Sequence, residues 1–174
     1  MEEKRTRGIL SIAVKYGIIL GVLVFAVFVG GTRLSSRQNW VASVVDTVLV
    51  IVLMVLAHGQ FKRTHAGMMR YAQGLGIGTA LTSSAAVLRC LLTYLYLKFL
   101  NTHYLATVLQ LQRAALAQRG ITGQRAQQAM AITAILGTPA AIATTALIIG
   151  LIGGFIIALI VSIFTQKDDP RAVV

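Results

Sequence analysis

The chain has 174 residues, of which 56% are hydrophobic and only 12% charged, and its mean hydropathy is +0.77. Soluble domains carry roughly a quarter charged residues, so this composition excludes an ordinary water-soluble domain and points to the membrane class. The formal net charge of +11 comes from basic residues scattered between apolar runs rather than gathered in a patch, which argues for anionic lipid headgroups and against nucleic acid.

The N-terminus, Met1-Glu2-Glu3-Lys4-Arg5-Thr6-Arg7, is charged and leads into an apolar run. That run exceeds the roughly 7–15 residues of a signal-peptide core. It ends at Gly30-Gly31-Thr32-Arg33, a poor cleavage site, so it reads as a retained helix. A helix needs about 20 mostly apolar residues to cross the hydrocarbon core. Four segments qualify: about 9–30, about 40–57 (slightly short), about 75–97 and about 139–164. Trp40 opens the second, and Tyr94, Tyr96 and Tyr104 cluster near the end of the third, where amphipathic rings favour the interface. Thr138-Pro139 reads as an N-cap and first-turn proline for the fourth.

Between the third and fourth spans, about 101–137 carries Leu105, Val108, Leu109 and Leu116 on one helical face, with Gln110, Arg113, Gln118 and Arg119 elsewhere. Gly120 interrupts, and Thr122 is placed to cap a second stretch rich in Gln124, Arg125, Gln127 and Gln128. The pattern predicts an amphipathic helical hairpin at or just above the membrane surface. It is either an extension of the flanking helices or a docking platform. Four spans put both termini on one side. The N-terminus (Lys4, Arg5, Arg7), the second connection (Lys62, Arg63, Arg70) and the C-terminus (Lys167, Arg171) outweigh Arg33, Arg37, Arg113, Arg119 and Arg125 on the other. The positive-inside rule makes both termini cytoplasmic.

Ionisable residues within spans are expensive and are functional candidates. Lys15 lies about 9 Å into the first span, within reach of a snorkelling stem. Asp46 is the only carboxylate within a span, about 9 Å below the outer interface, with Arg89 roughly 12–15 Å below the same interface. The two share a leaflet and form a candidate ion pair; the alternative is a protonated, hydrogen-bonded Asp46. A proton or ion pathway normally shows more than one such acid. Small residues recur every four positions: Gly17 and Gly21; Gly74, Gly78, Thr82 and Ala86; and Ala146, Gly150, Gly154, Ala158 and Ser162. Such stripes let helix backbones approach closely in lipid. They serve either packing within the chain or homodimerisation through the fourth helix.

No catalytic, cofactor or metal constellation emerges. His58 and His65 fall in the second connection and His103 beyond the third span, with no metal-ligand spacing among them. Gly74-Leu75-Gly76-Ile77-Gly78 follows no strand and lacks the dinucleotide-loop spacing. Ser83-Ser84 have no nearby base in sequence. The single cysteine, Cys90, cannot form an internal disulfide and reads as an inert small hydrophobe.

Several stretches carry a resemblance to a family. These are Lys15-Tyr16-Gly17-Ile18-Ile19-Leu20-Gly21, the entry Met68 to Gly78 with Tyr71-Ala72-Gln73-Gly74, the segment Phe99-Leu100-Asn101-Thr102-His103-Tyr104-Leu105, and the ending Phe164-Thr165-Gln166-Lys167-Asp168-Asp169-Pro170. Together they make the chain resemble the bacterial family of small four-helix membrane proteins termed domain of unknown function 4199. Where that family tends to carry acids around the third connection, this chain has Asn101, Gln124, Gln127 and Gln128. The resemblance implies topology and a bacterial membrane location, and no activity.

The expectation is an all-α membrane protein, residues 1–174 forming one four-span domain with an amphipathic hairpin between helices three and four. It is expected in the bacterial plasma membrane as a non-enzymatic protein that associates with itself or with another membrane protein. The alternative is a small transporter or channel subunit using Asp46 and Arg89.

Overall fold

The computed structural model describes residues 2–33, 39–64 and 67–166; the side chains of residues 2–7, 9, 33 and 39 fall outside the description. Arg37, His65, Lys167 and Arg171, which entered the orientation and metal readings above, lie outside the described residues. All described elements are helical: α1 (Glu2–Arg33), α2 (Asn39–Thr64), α3 (Tyr71–Leu95), α4 (Tyr104–Gln118), α5 (Gly123–Leu136) and α6 (Pro139–Thr165). A π turn, Tyr96–Leu100, follows α3 directly.

Four helices are long and apolar enough to cross a membrane: Leu10–Thr32, Trp40–Thr64, Tyr71–Leu100 and Pro139–Thr165. Their burial pattern is the reverse of a soluble bundle. In α6 the exposed positions include Ile148, Ile149, Ile152, Phe155, Ile156, Ile160, Ile163 and Phe164, whereas Gly154, Ala158 and Ser162 are buried. Water would not tolerate a continuous aliphatic exterior of this extent; hydrocarbon does, and the small residues then go inside, where they bring backbones together.

The second and third spans differ at their ends from the sequence expectation. Helix α2 continues past Ala57 to Thr64 because its buried face, Leu53, Met54, Ala57, His58 and Phe61, keeps helical spacing through the polar stretch. Helix α3 begins at Tyr71, four residues before the apolar run. There the Gln73 side chain accepts a hydrogen bond from the Arg70 N–H at 3.0 Å, the return half of a capping box.

The chain divides into two compact units, Met1–Arg89 with Leu147–Val174, and Cys90–Ala146. The first holds a core of Leu20, Val24, Leu53, Phe61, Ile77 and Leu81. The second holds the expected hairpin. Gly120 adopts φ +66°, and Ile121 N–H donates to Leu116 O while Gly120 N–H donates to Ala117 O, both at 3.0 Å. That is a Schellman stop, which a left-handed glycine makes cheap. Thr122 is extended but makes no side-chain cap bond, contrary to the expectation. Gly123, at φ +66°, sets the entry to α5 instead. Thr138 does cap α6: its Oγ1 accepts from Ala141 N–H at 3.3 Å. Within this unit burial pushes the Tyr104 phenol up from its ordinary value.

Candidate functional site

The site is built in the first unit, from the small residues outward. On α3 and α6 the stripes meet each other. A methyl group placed on Gly74 would lie 3.3 Å from Ser162 Oγ, one on Gly78 2.8 Å from Ala158 Cβ, one on Gly154 2.5 Å from Thr82 Cβ, and one on Gly150 3.2 Å from Ala86 Cβ. As numbers rise along α3 they fall along α6, in steps of four, so the helices run antiparallel with one small-residue face each in the seam. Helix α1 uses Gly17 and Gly21 in the same way. A methyl at Gly17 would lie 2.7 Å from Leu81 O, and one at Gly21 3.0 Å from Ala85 O. All six glycines singled out in the sequence are therefore spent on contacts inside the chain.

The α3–α6 seam does not fill the space between all four spans. Beside it lies a cavity of about 140 Å³, far above the roughly 10–15 Å³ that one water needs. Every spanning helix reaches it: Leu20 and Gly21 from α1, Asp46 and Val50 from α2, Thr82 and Arg89 from α3, and Gly150 and Gly153 from α6. Gly153 faces open space, with no atom within 4 Å of where a methyl would stand, unlike Gly154 next to it.

The structure brings Asp46 and Arg89 together at this cavity. Arg89 Nη2 lies 3.6 Å from Asp46 Oδ2, and the two side chains are 25% and 22% exposed respectively. At that distance the contact is a charge pair rather than a hydrogen bond. Asp46 Oδ1 and Arg89 Nε have no hydrogen-bond partner in the protein. The remaining polar groups in the lining are already committed: Thr82 Oγ1 donates to Gly78 O at 3.0 Å and Thr47 Oγ1 to Ser43 O at 2.9 Å. The cavity is thus apolar-walled with one charge pair, of which Asp46 Oδ1 and Arg89 Nε are themselves buried without a hydrogen bond. It suits a small polar or charged group.

A second cluster was not anticipated. His58, expected in a connection, is a buried residue of α2. Its Nε2 lies 2.9 Å from Gly74 O and its Nδ1 2.8 Å from Thr165 Oγ1, so one imidazole links α2, α3 and α6. The signal available was spacing: His58 follows Met54 by four residues and precedes Phe61 by three. That phase carries the helix through His58, although a polar residue after an apolar run looks like the start of a loop. Thr165 Oγ1 also lies 2.8 Å from Val161 O, so its single hydroxyl proton is shared between that carbonyl and His58 Nδ1. Since Gly74 O only accepts, Nε2 carries the proton of this bond. Elsewhere, Lys15 is exposed on α1, Cys90 is half-buried, and Ser84 Oγ donates to Leu81 O at 2.9 Å. Among the described residues no cluster of three His, Cys, Asp or Glu side chains is placed to hold a metal ion.

Fold and site together define a helical multi-pass membrane protein with a charged pair at the meeting point of its spans. Compared with known families, the chain matches over residues 15–167 and belongs to the family described as "Protein of unknown function (DUF4199)". Neither the curated proteins nor the solved structures gave a match.

Proposed function

We propose that the protein is a non-enzymatic small transporter or channel subunit of the bacterial plasma membrane, with both termini cytoplasmic, whose polar ligand engages Asp46 and Arg89. The observation that carries this reading is the cavity itself. All four spans converge on it, and its lining holds a partly exposed carboxylate–guanidinium pair, Asp46 and Arg89. Keeping two charges within spans is costly, and purely structural packing has no need to leave space around them. The reading is non-enzymatic because the lining offers no nucleophile beside a base: its two threonine hydroxyls are tied to their own helices. Assembly with a second copy or another membrane protein rested on the glycine stripes. Because α3 and α6 use those stripes on each other, weight moves from assembly to the cavity.

The test is cysteine labelling in a Cys90→Ser background, in native membranes. Gly153→Cys and Val50→Cys line the cavity, while Val48→Cys and Ile152→Cys lie on exposed, lipid-facing positions. A water-soluble thiol reagent is expected to modify the first pair and spare the second. Protection at both cavity positions would mean a sealed bundle, and assembly would become the better account.

A further inference from the structure

The second unit points to a separate surface, independent of the cavity. Residues 90–146 contain Lys98, Arg113, Arg119 and Arg125 and no acidic residue. The hairpin helices α4 and α5 have 15 and 14 residues, too few for the about 20 that a span requires. They are already paired along one face: Leu116 is buried, and Leu105 packs at Gly137. Even so, Leu111, Ile132, Ile135 and Leu136 each remain more than half exposed. On α5 the last three fall on one side, and Arg125 stands seven residues before Ile132, two helical turns away on that same side. The side is therefore apolar toward α6 and basic toward the hairpin tip.

We propose that the α4–α5 hairpin is an interfacial element that lies against the surface of an anionic lipid bilayer. Two features select lipid as the occupant. The unit itself contains the ends of two spans, Leu100 four residues before α4 begins and Pro139 three residues after α5 ends. The exposed isoleucines thereby continue a surface that already faces hydrocarbon. The charge is uniformly positive, which complements lipid phosphates and anionic headgroups. The π turn Tyr96–Leu100 adds a third feature. Lys98 Nζ donates to Tyr94 Oη at 3.2 Å and sits 5.6 Å from the Phe99 ring centre, and a cation held among aromatic rings is the chemistry of an interfacial anchor. In this arrangement Ile132, Ile135 and Leu136 enter the boundary between headgroups and chains, and Arg125 stays at the level of the phosphates.

The experiment uses the full chain with Cys90→Ser and a single nitroxide at Leu111→Cys or Ile132→Cys. The protein is reconstituted in vesicles of neutral phosphatidylcholine or with 30% phosphatidylglycerol. Collision with a water-soluble nickel chelate is compared between the two. The expected result is protection of both labels in the anionic vesicles, weaker protection in the neutral ones, and a difference that shrinks in high salt. Replacing Arg113, Arg119 and Arg125 by Gln should lose roughly fivefold in the protected-to-exposed ratio per arginine in anionic vesicles. Equal accessibility in the two lipids, whether high or low, overturns the proposal. So does exposure in both vesicle types with protection only in native membranes, which would identify a protein as the occupant. The comparison of lipids with the unsubstituted arginines needs no variant to fold.

Discussion

Gly153 and Gly154 are neighbours on α6, yet they stand in opposite environments. Both border the cavity, but a methyl on Gly154 would press against Thr82 of α3, whereas one on Gly153 would meet no atom within 4 Å. A helix turns by about 100° per residue, so one step along the chain takes the helix face from the packed edge of the cavity to its open side. The difference teaches that this bundle has two kinds of interior. Where small residues of two helices coincide in register, backbones close up. Where Asp46 and Arg89 intervene, they do not. Substitutions at four places test that distinction.

The largest effect should come from breaking the charge pair on one side only. Arg89→Met leaves the Asp46 carboxylate unmatched within the span and should cost about 3 kcal/mol, the lower end for a buried pair because both groups keep some exposure. Adding Asp46→Leu should restore most of that loss, as measured by the unfolding midpoint in detergent. If the double variant were no more stable than Arg89→Met alone, the pair would not be coupled. Next comes the seam. Gly154→Ala drives a methyl to 2.5 Å from Thr82 Cβ and should destabilise by about 2 kcal/mol through overpacking, and Gly154→Ala with Thr82→Ala should recover part of it. An additive double variant would argue that the two residues do not touch. Smaller again, His58→Phe removes both imidazole bonds while keeping bulk, and about 1 kcal/mol is expected. A loss above that of Gly154→Ala would make the His58 link of α2 to α3 and α6 a stronger tie than the α3–α6 glycine seam. The smallest effect belongs to Gly153→Ala, which should stay within about 0.5 kcal/mol of the parent while narrowing the cavity. A large drop in stability there would show that the cavity wall is packed like the seam.

Much of the architecture was legible in the chain. Long apolar runs bounded by Trp40, Tyr94 and Thr138-Pro139 located four membrane-length helices, and the periodicity of Leu105, Leu109 and Leu116 with Gly120 located the hairpin. Residue spacing reports which positions share a face, so it also marked the stripes and put Asp46 and Arg89 at similar depth. It could not say which face meets which. The notion that α6 offers its stripe to a second copy and the notion that it offers it to α3 predict the same sequence. His58 was lost for a related reason: a polar residue after an apolar run looks like the end of a helix until a carbonyl and a hydroxyl from two distant segments are seen to receive it.

The sequence by itself determined that the chain is helical, that four of its helices suit a bilayer and that one acid and one arginine lie within them. Hydropathy and helical period are local quantities, summed along the backbone, and need no partner to be read. Only the tertiary structure decided that the stripes of α3 and α6 close on each other in antiparallel register, that Asp46 and Arg89 come to 3.6 Å at a cavity shared by four spans, and that His58 joins three helices. In lipid no hydrophobic drive selects among helix faces. The choice falls to close packing and to the few polar groups that must find one another, and both depend on where distant segments meet.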